Sequence, residues 1–298
     1  MIGSGPAGLS AALYLKRAGK KVLIVEKEYE GTGQIAQSFC VENYLGFPSI
    51  AGDELGEKFR LHVQSLDIPF LEEEVIEILH HGGWELRLAS GKSLETKTIV
   101  YSAGAVPVKP GIQGEEEYTG KGISFCAYCD GSLYKNKDVA VVGGGDTALD
   151  DALYLSGICR KVYLIHRRSE FRGMAAAVEK LRGKKNVEII TEARILEAKG
   201  QKRMEEIRLD QGRNLKISGL FVAIGSRPET ELIKAYVTRD TKGYVAAKED
   251  GKTETPGLFV AGDIRVKKLR QVITAVSDGA NAAASAVDFL NRQGYLMI

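Results

Sequence analysis

The sequence has no long apolar run, no excess of either charge and few cysteines. No hydrophobic stretch reaches the roughly 18 to 20 residues that cross a bilayer, and the first residues lack the basic and apolar segments of a signal peptide. We therefore expect no membrane association and a cytoplasmic location. With 41 Lys and Arg against 39 Asp and Glu, no field that attracts polyanions is indicated, and nucleic acid is not an expected partner.

Four cysteines in 298 residues are too few for the disulfide scaffold of a secreted protein. Cys126 and Cys129 form a Cys-x-x-Cys motif, whereas Cys40 and Cys159 are isolated. Such a pair can close a small reactive disulfide, or it can supply half of a tetrahedral zinc site, which needs two further ligands at compatible spacing. By itself the motif leaves redox, metal-binding and structural roles open.

Glycine, in contrast, is common, and the first residues carry a glycine-rich turn. The G-x-G-x-x-G pattern of residues 3–8 is followed by a helical pattern from Leu9 to about Ala18 and a buried-strand pattern from Lys21 to Glu26. Glycines at these positions let the backbone turn tightly and approach a pyrophosphate, and the acid at the end of the second strand can accept hydrogen bonds from ribose hydroxyls. The predicted dinucleotide site consists of Gly3, Gly5, Pro6, Ala7, Gly8 and Glu26.

Only Met1 and Ile2 precede this turn, although such a turn ordinarily follows a strand of about five residues. We therefore expect that further residues precede Met1 in the natural protein.

The opening pattern occurs a second time. Residues 1–26 align with residues 141–166 without a gap at an offset of 140, so that Gly3 corresponds to Gly143 and Gly8 to Ala148. The repeat predicts two dinucleotide-binding units in one chain. The second turn supplies the candidate residues Gly143, Gly145, Asp146, Thr147 and Ala148.

The two repeats differ at the end of the second strand. The first ends in Glu26, whereas the second ends in His166, Arg167 and Arg168, with Arg172 beyond. Guanidinium groups bind a 2′-phosphate through charge-assisted hydrogen bonds, while a carboxylate there suits a free ribose hydroxyl. The second site therefore indicates NADPH rather than NADH; the alternative is a basic surface turn without a ligand.

Other segments indicate the organisation of the chain. Two proline-containing stretches, 106–111 and 225–228, indicate crossovers between domains. A helix is predicted from Asp53, as its cap, to Leu66, and a last helix from Gln271 to Leu290 whose small residues permit close packing. Glu115–Glu117 is interpreted as a solvated run. Composition alone favours plain connections for the loops that contain Gly33, Gln34 and Asn43, and Asp263 could contact a flavin or cap a helix.

In their order and spacing these motifs resemble the low-molecular-weight thioredoxin reductases over essentially the whole chain. The resemblance implies an α/β fold of two Rossmann-like nucleotide-binding domains of the three-layer ββα type. It implies that an NADPH domain, 108–228, carries the cysteine pair and is inserted into a discontinuous FAD domain, 1–107 and 229–298, and that the protein is a homodimer. The FAD contacts that it adds are Gly33, Gln34, Asn43, Gly262, Asp263, Arg270, Gln271 and Val272. The NADPH contacts that it supports are the residues of the second turn with His166, Arg167, Arg168 and Arg172.

The resemblance also implies a mechanism. NADPH would reduce FAD, and the flavin would open a Cys126–Cys129 disulfide, with Cys129 as the sulfur next to the flavin. Cys126 would then attack the disulfide of thioredoxin. Asp130 would act as general acid, which near neutral pH requires a raised pKa; the alternative role for Asp130 is a helix cap. Tyr128 departs from the family, where Thr is more familiar.

Two other functions stay open from the sequence. The same relay could deliver electrons to a glutaredoxin-like or peroxidase partner. A non-catalytic redox-sensing or zinc-binding nucleotide module belongs to a different class, but we expect no metal because the remaining cysteines are isolated.

Overall fold

The computed structural model describes residues 1–28, 32–38 and 40–295. The chain divides into two compact units. Unit 1 consists of Met1–Ala36, Tyr44–Val106 and Arg227–Ile298, and unit 2 consists of Gln37–Asn43 and Pro107–Ser226.

Seven α-helices occur in the described residues. They are α1 (Pro6–Arg17), α2 (Gly52–Gln64), α3 (Glu115–Tyr118), α4 (Ala127–Asp130), α5 (Asp146–Ser156), α6 (Ala175–Arg182) and α7 (Val272–Tyr295). Short 3₁₀ helices cover Gly33–Gln37, Gly131–Tyr134 and Glu231–Ile233. None of the helices described is long and apolar enough to cross a membrane.

Seventeen strands complete the described architecture. The first nine are β1 (Ile24–Glu26), β2 (Phe70–Glu72), β3 (Val75–His80), β4 (Trp84–Leu88), β5 (Ser93–Thr96), β6 (Ile99–Tyr101), β7 (Ala105–Pro107), β8 (Ile123–Ser124) and β9 (Asp138–Val142). The others are β10 (Lys161–Ile165), β11 (Val187–Ile190), β12 (Ile195–Gly200), β13 (Met204–Leu209), β14 (Asn214–Lys216), β15 (Gly219–Val222), β16 (Ser226–Pro228) and β17 (Leu258–Val260).

Unit 1 combines parallel pairing with an antiparallel meander. Strand β1 pairs with β2 and β6 pairs with β17, all in parallel. Ile2 forms parallel bridges to both Val25 and Tyr101, so it lies where the strand before the first glycine turn belongs. Strands β3, β4 and β5 form an antiparallel sheet, and Trp84, at the start of its central strand, is buried.

Unit 2 has the same plan. Five parallel strands lie in the order β11-β10-β9-β15-β8, and β12, β13 and β14 form an antiparallel sheet. The strand Gly219–Val222 is buried at every position, which explains why its sequence is a continuous apolar run rather than an alternating one. The predicted fold class, two Rossmann-like units of which the second is inserted into a discontinuous first, is confirmed.

Small residues allow α7 to pack closely against α1, as its composition predicts. A Cβ at Gly279 would lie 2.1 Å from the Ala7 carbonyl oxygen, and Ala282 and Ala283 are fully buried. The hydroxyl of Ser10 donates to the Val276 carbonyl at 2.7 Å. The first turn and the last helix are therefore held together from opposite ends of the sequence.

Three local predictions need correction. Helix α1 begins at Pro6, inside the glycine pattern, and not at Leu9, because proline suits the first helical position. Asp53 is not the cap of α2: the N-cap is Ala51, and the Asp53 carboxylate accepts the neighbouring Glu54 N–H inside the first turn. Glu115 is buried rather than solvated, since its Oε2 accepts the Gly111 N–H at 2.8 Å.

Candidate active site

The two cysteines of the Cys-x-x-Cys motif are joined in a disulfide at the start of α4. Cys126 is the N-cap of this short helix, with an extended backbone, and its Sγ accepts the Cys129 N–H at 3.1 Å. The intervening Tyr128 is 49% exposed and its ring stacks on Tyr154 with centroids 4.5 Å apart. Within the described chain, no group of three or more His, Cys, Asp or Glu side chains is arranged to hold a metal ion.

Asp130, directly after the disulfide, lies in a site that favours its protonated form. Burial raises the pKa of its carboxyl, and this is only partly opposed by hydrogen bonds from Ser124 and Ser38. The Ser124 hydroxyl donates to Oδ2 at 2.6 Å and the Ser38 hydroxyl approaches Oδ1 at 3.4 Å. Asp130 precedes a 3₁₀ helix without making a side-chain cap bond to it, so the geometry suits a proton donor better than a cap.

The three glycines of the first turn are needed for different structural reasons. Gly3 has φ +93°, and a Cβ there would lie 2.7 Å from the Ser102 carbonyl oxygen. At Gly8 a Cβ would lie 2.0 Å from the Gly3 oxygen, which only glycine avoids. At Gly5 the nearest protein atom would be 3.9 Å away. The space above Gly5 is therefore open to a phosphate group, as a dinucleotide requires.

Glu26 lies across this turn. Its Oε2 accepts the Ser4 N–H at 2.8 Å and the Ser4 hydroxyl at 3.0 Å, and its Oε1 accepts the Lys27 N–H at 2.8 Å. Its Oε1 also accepts the Glu28 N–H at 3.4 Å, and these bonds fix the orientation of the Glu26 carboxylate beside the turn.

The glycine-aspartate corner after β17 lies against the same turn. Gly262 has φ +83°, and a Cβ there would lie 2.9 Å from the Ala7 Cβ. Asp263 is largely buried, and burial raises the pKa of its carboxyl, while the Lys267 ammonium, 3.1 Å from Oδ1, opposes this. The lysine forms an ion pair with Oδ1 outside hydrogen-bond geometry. This polar group at a strand end is of the kind that fits a flavin's sugar-alcohol chain.

A buried ion network supports that corner. Asp278, on α7, accepts two bonds from the Arg265 guanidinium, at 3.1 and 2.6 Å, and one from the Gly262 N–H at 3.1 Å. Lys267 lies 3.1 Å from Asp278 as well as from Asp263. The sequence motifs do not reveal Arg265, Lys267 or Asp278, because no local pattern joins residues on the loop to a residue on the helix.

The remaining candidate residues of the first site make different kinds of contact. The Gln34 amide donates to the carbonyl of Ala105, the first residue of strand β7. Asn43 is exposed and belongs to the segment 37–43, which groups with unit 2. Arg270 folds onto its own loop, with its guanidinium 4.0 Å from the Tyr244 ring centroid and a bond to the Arg265 carbonyl at 3.0 Å. The Gln271 N–H donates to Thr274 Oγ1, and Val272 begins α7.

The second glycine turn reproduces the first. Gly143 has φ +158°, and a Cβ there would lie 2.3 Å from the Ala223 oxygen and 2.6 Å from the Ala148 Cβ. At Gly145 a Cβ would meet nothing within 4 Å, so this turn too leaves room for a phosphate. Asp146 and Thr147 are exposed at the start of α5.

A basic cleft adjoins the second turn. Its volume is about 530 Å³, and its charged lining residues are Arg167, Arg168, Arg172, Arg194, Glu170, Glu192 and Asp210. His166 is buried, so it does not line this cleft: its ring stacks on Phe171 at 5.1 Å, and Nε2–H donates to the Glu170 carbonyl at 3.1 Å. Burial, followed by the nearby arginines, lowers the pKa of His166 and favours the neutral ring.

Comparisons with known proteins agree with this assembly of parts. A family model described as pyridine nucleotide-disulphide oxidoreductase matches residues 1–279. The chain is 38% identical to a thioredoxin reductase of Helicobacter pylori, with 98% of each chain covered. It is 34% identical to one of the components of the alkyl hydroperoxide reductase of Pseudomonas putida, over 98% of this chain but 58% of that protein. A thioredoxin reductase structure from Streptococcus pyogenes superimposes with a TM-score of 0.92 at 33% identity, over 98% of this chain and 97% of that one.

Proposed function

The chain belongs to the pyridine nucleotide-disulphide oxidoreductase family, and from this premise we propose that it passes two electrons from NADPH, through FAD, to the Cys126–Cys129 disulfide and on to thioredoxin. The observation that carries the proposal is the disulfide followed directly by a partly buried carboxyl with a raised pKa, in the unit that also holds the basic cleft.

Residues of both turns fit the two cofactors. The candidate FAD site consists of the first turn with Glu26, Gly33, Gln34, Asn43, Gly262, Asp263, Arg270, Gln271 and Val272. The candidate NADPH site consists of the second turn with Arg167, Arg168 and Arg172. His166 supports this site by stacking its ring on Phe171, in the loop that carries the arginines. The open space at Gly5 and Gly145 favours diphosphates at both turns. When bound, the cofactors supply the hydride and electron transfer that converts the disulfide into two thiols.

Side chains of unit 2 then carry out the exchange. The Cys126 thiolate attacks one sulfur of the thioredoxin disulfide, whose S–S bond breaks as a mixed disulfide forms. Asp130 donates its proton to the departing thiolate. Cys129 next attacks Cys126 Sγ, which releases the second thioredoxin sulfur and restores the Cys126–Cys129 bond. Two electrons have then moved to the partner.

A partner other than thioredoxin is the second candidate. The similarity to the Pseudomonas putida hydroperoxide reductase component favours a peroxidase partner, and a glutaredoxin-like protein is chemically equivalent. That relative is much longer than this chain, whereas the Helicobacter pylori thioredoxin reductase is matched along nearly its whole length. Thioredoxin is therefore the partner that we propose first. By analogy with the family we also propose a homodimer and a cytoplasmic location.

Reconstitution with FAD tests the relay. We expect a yellow protein whose flavin absorbance bleaches on addition of NADPH and which reduces thioredoxin, but not glutaredoxin or a peroxidase, at a high rate. Cys126→Ser should still bleach but should lose reduction of thioredoxin, because the attacking sulfur is absent. Cys159→Ala, which changes a buried cysteine elsewhere in unit 2, should behave like wild type. A protein that binds no flavin, or whose thiols stay oxidised with NADPH, contradicts the proposal.

A further inference from the structure

The loop that carries the arginines is fastened to the second glycine turn by three backbone N–H groups. The N–H groups of Arg172 and Gly173 donate to the Gly144 carbonyl at 2.7 and 3.2 Å. The Met174 N–H donates to Asp146 Oδ1 at 2.8 Å. Both ends of the contact lie in unit 2, so the basic cleft and the phosphate-sized space at the turn belong to one connected structure.

The contact surfaces leave no room for larger residues. A Cβ at Gly144 would lie 2.1 Å from the His166 ring, and a Cβ at Gly173 would lie 2.9 Å from both the N and Oδ1 of Asp146. The His166 ring fills the space beneath the loop and is stacked on Phe171. The loop therefore rests directly on the turn, and its position is set by contacts on both of its faces.

The first repeat has different residues at the positions that form this attachment. At the offset of 140 residues, Pro6 corresponds to Asp146, Ser4 to Gly144 and Glu26 to His166. Proline has no side-chain acceptor, and Ser4 is bonded to Glu26 instead. The repeat with the arginines therefore has a side-chain acceptor at Asp146, where the repeat with the acid has the proline Pro6.

We propose that Asp146 is a positioning residue for recognition of the 2′-phosphate: it holds the arginine loop at the distance from the turn that lets guanidinium groups meet that phosphate. This inference rests on the proposed use of NADPH. An exposed carboxylate at the start of α5 repels a diphosphate bound there, and it does so equally for NADPH and NADH. Anchoring of the loop, in contrast, matters only for the coenzyme that carries the 2′-phosphate.

Binding of the oxidised coenzymes to the FAD-loaded protein tests the proposal without turnover. Calorimetric titration with NADP⁺ and with NAD⁺ gives the ratio of their dissociation constants. Repulsion between the Asp146 carboxylate and the diphosphate affects both coenzymes equally, so it cancels in this ratio. In Asp146→Ala we expect the preference for NADP⁺ to fall about 3- to 10-fold, as for loss of one charge-assisted hydrogen bond. Asp146→Asn keeps an oxygen acceptor and should restore most of the preference.

Two further variants control the result. Asp53→Ala removes an exposed acid from the first turn of α2 in unit 1 and should leave the ratio unchanged. Gly173→Ala presses a Cβ onto Leu149 and Asp146, which displaces the loop, and should lower the ratio while Asp146 is retained. Equal weakening of NADP⁺ and NAD⁺ in Asp146→Ala, an unchanged ratio, or an Asn variant as poor as the Ala variant overturns the inference. A wild-type protein without preference for NADP⁺ contradicts the proposed function instead.

Discussion

Asp130 combines partial burial with two hydroxyl partners, and the balance between them determines when it carries a proton. Burial is the larger effect and raises the pKa of the carboxyl, so the acid form persists to higher pH than for an ordinary aspartate. A general acid is active only in this form. Its contribution to thiol exchange must therefore decline as pH rises through the raised pKa.

This dependence predicts the behaviour of Asp130→Asn. We expect the variant to lose about 10²- to 10⁴-fold in thioredoxin reduction at low and neutral pH, the usual range for a general acid, and to approach wild type at alkaline pH. Flavin bleaching by NADPH should be unaffected. Steady-state rates across pH measure this, and a pH profile of the same shape for both proteins would exclude Asp130 as the acid.

Asp151 is a second buried carboxyl of unit 2, and it has no place in the proposed mechanism. Burial, followed by the negative charge of Asp150, raises its pKa to about 7. In the unfolded chain its pKa is near 3.8. The folded protein therefore holds this proton more tightly, and stability must fall as pH rises from about 4 to about 7.

Asp151→Asn removes that dependence. The variant should gain stability relative to wild type as pH rises, by at most about 4 kcal/mol above pH 7, and should differ little near pH 4. Denaturant unfolding of both proteins at several pH values measures the difference; Asp150→Asn, which removes the smaller cause of the raised pKa, should weaken the pH dependence without abolishing it. A constant difference across this range would contradict the assignment.

At the scale of elements, the close contact of α1 and α7 joins the first glycine turn to the last helix. The two helices approach at Gly279, where a side chain would meet the backbone of Ala7. The buried pair of Arg265 and Asp278 adds a polar tie from α7 to the corner that carries Asp263. The candidate FAD site thus depends on a helix that is remote in sequence from the turn.

Gly279→Val should separate these helices. We expect a loss of about 1–3 kcal/mol in the free energy of unfolding from overpacking, together with weaker retention of FAD. Ala284→Val places the same side chain on an exposed position of α7 and should cost only about 0.5 kcal/mol, by helix propensity. Thermal unfolding and the FAD content after dialysis provide the measurements; equal effects of the two substitutions would contradict the packing argument.

At the scale of the whole molecule, the chain uses one architecture twice and gives each copy its own electrostatics. Unit 1 ends its second strand in a carboxylate held by Ser4, and unit 2 ends the equivalent strand beneath a loop of arginines. The fold itself therefore does not favour one coenzyme over the other. We propose that selectivity comes from a few side chains after the second strand and from the anchoring of their loop.

The sequence by itself determined the features whose chemistry is local: both glycine turns, the cysteine pair, the arginine loop, and a fold class that the structure confirms. Each depends on residues close together in the chain, so spacing alone reveals it. The boundaries 107/108 and 228/229, and the cofactor contacts, remain predictions.

Only the tertiary structure decided which distant groups meet. It places Ser38 and Ser124 on Asp130, Asp278 on Arg265, and Asp146 on the backbone of Met174. It also buries the ring of His166 and removes Asp53 from the helix cap and Glu115 from the solvent. Burial and pairing depend on which surfaces folding brings together. The residue pattern within one segment does not show which other segment will pack against it.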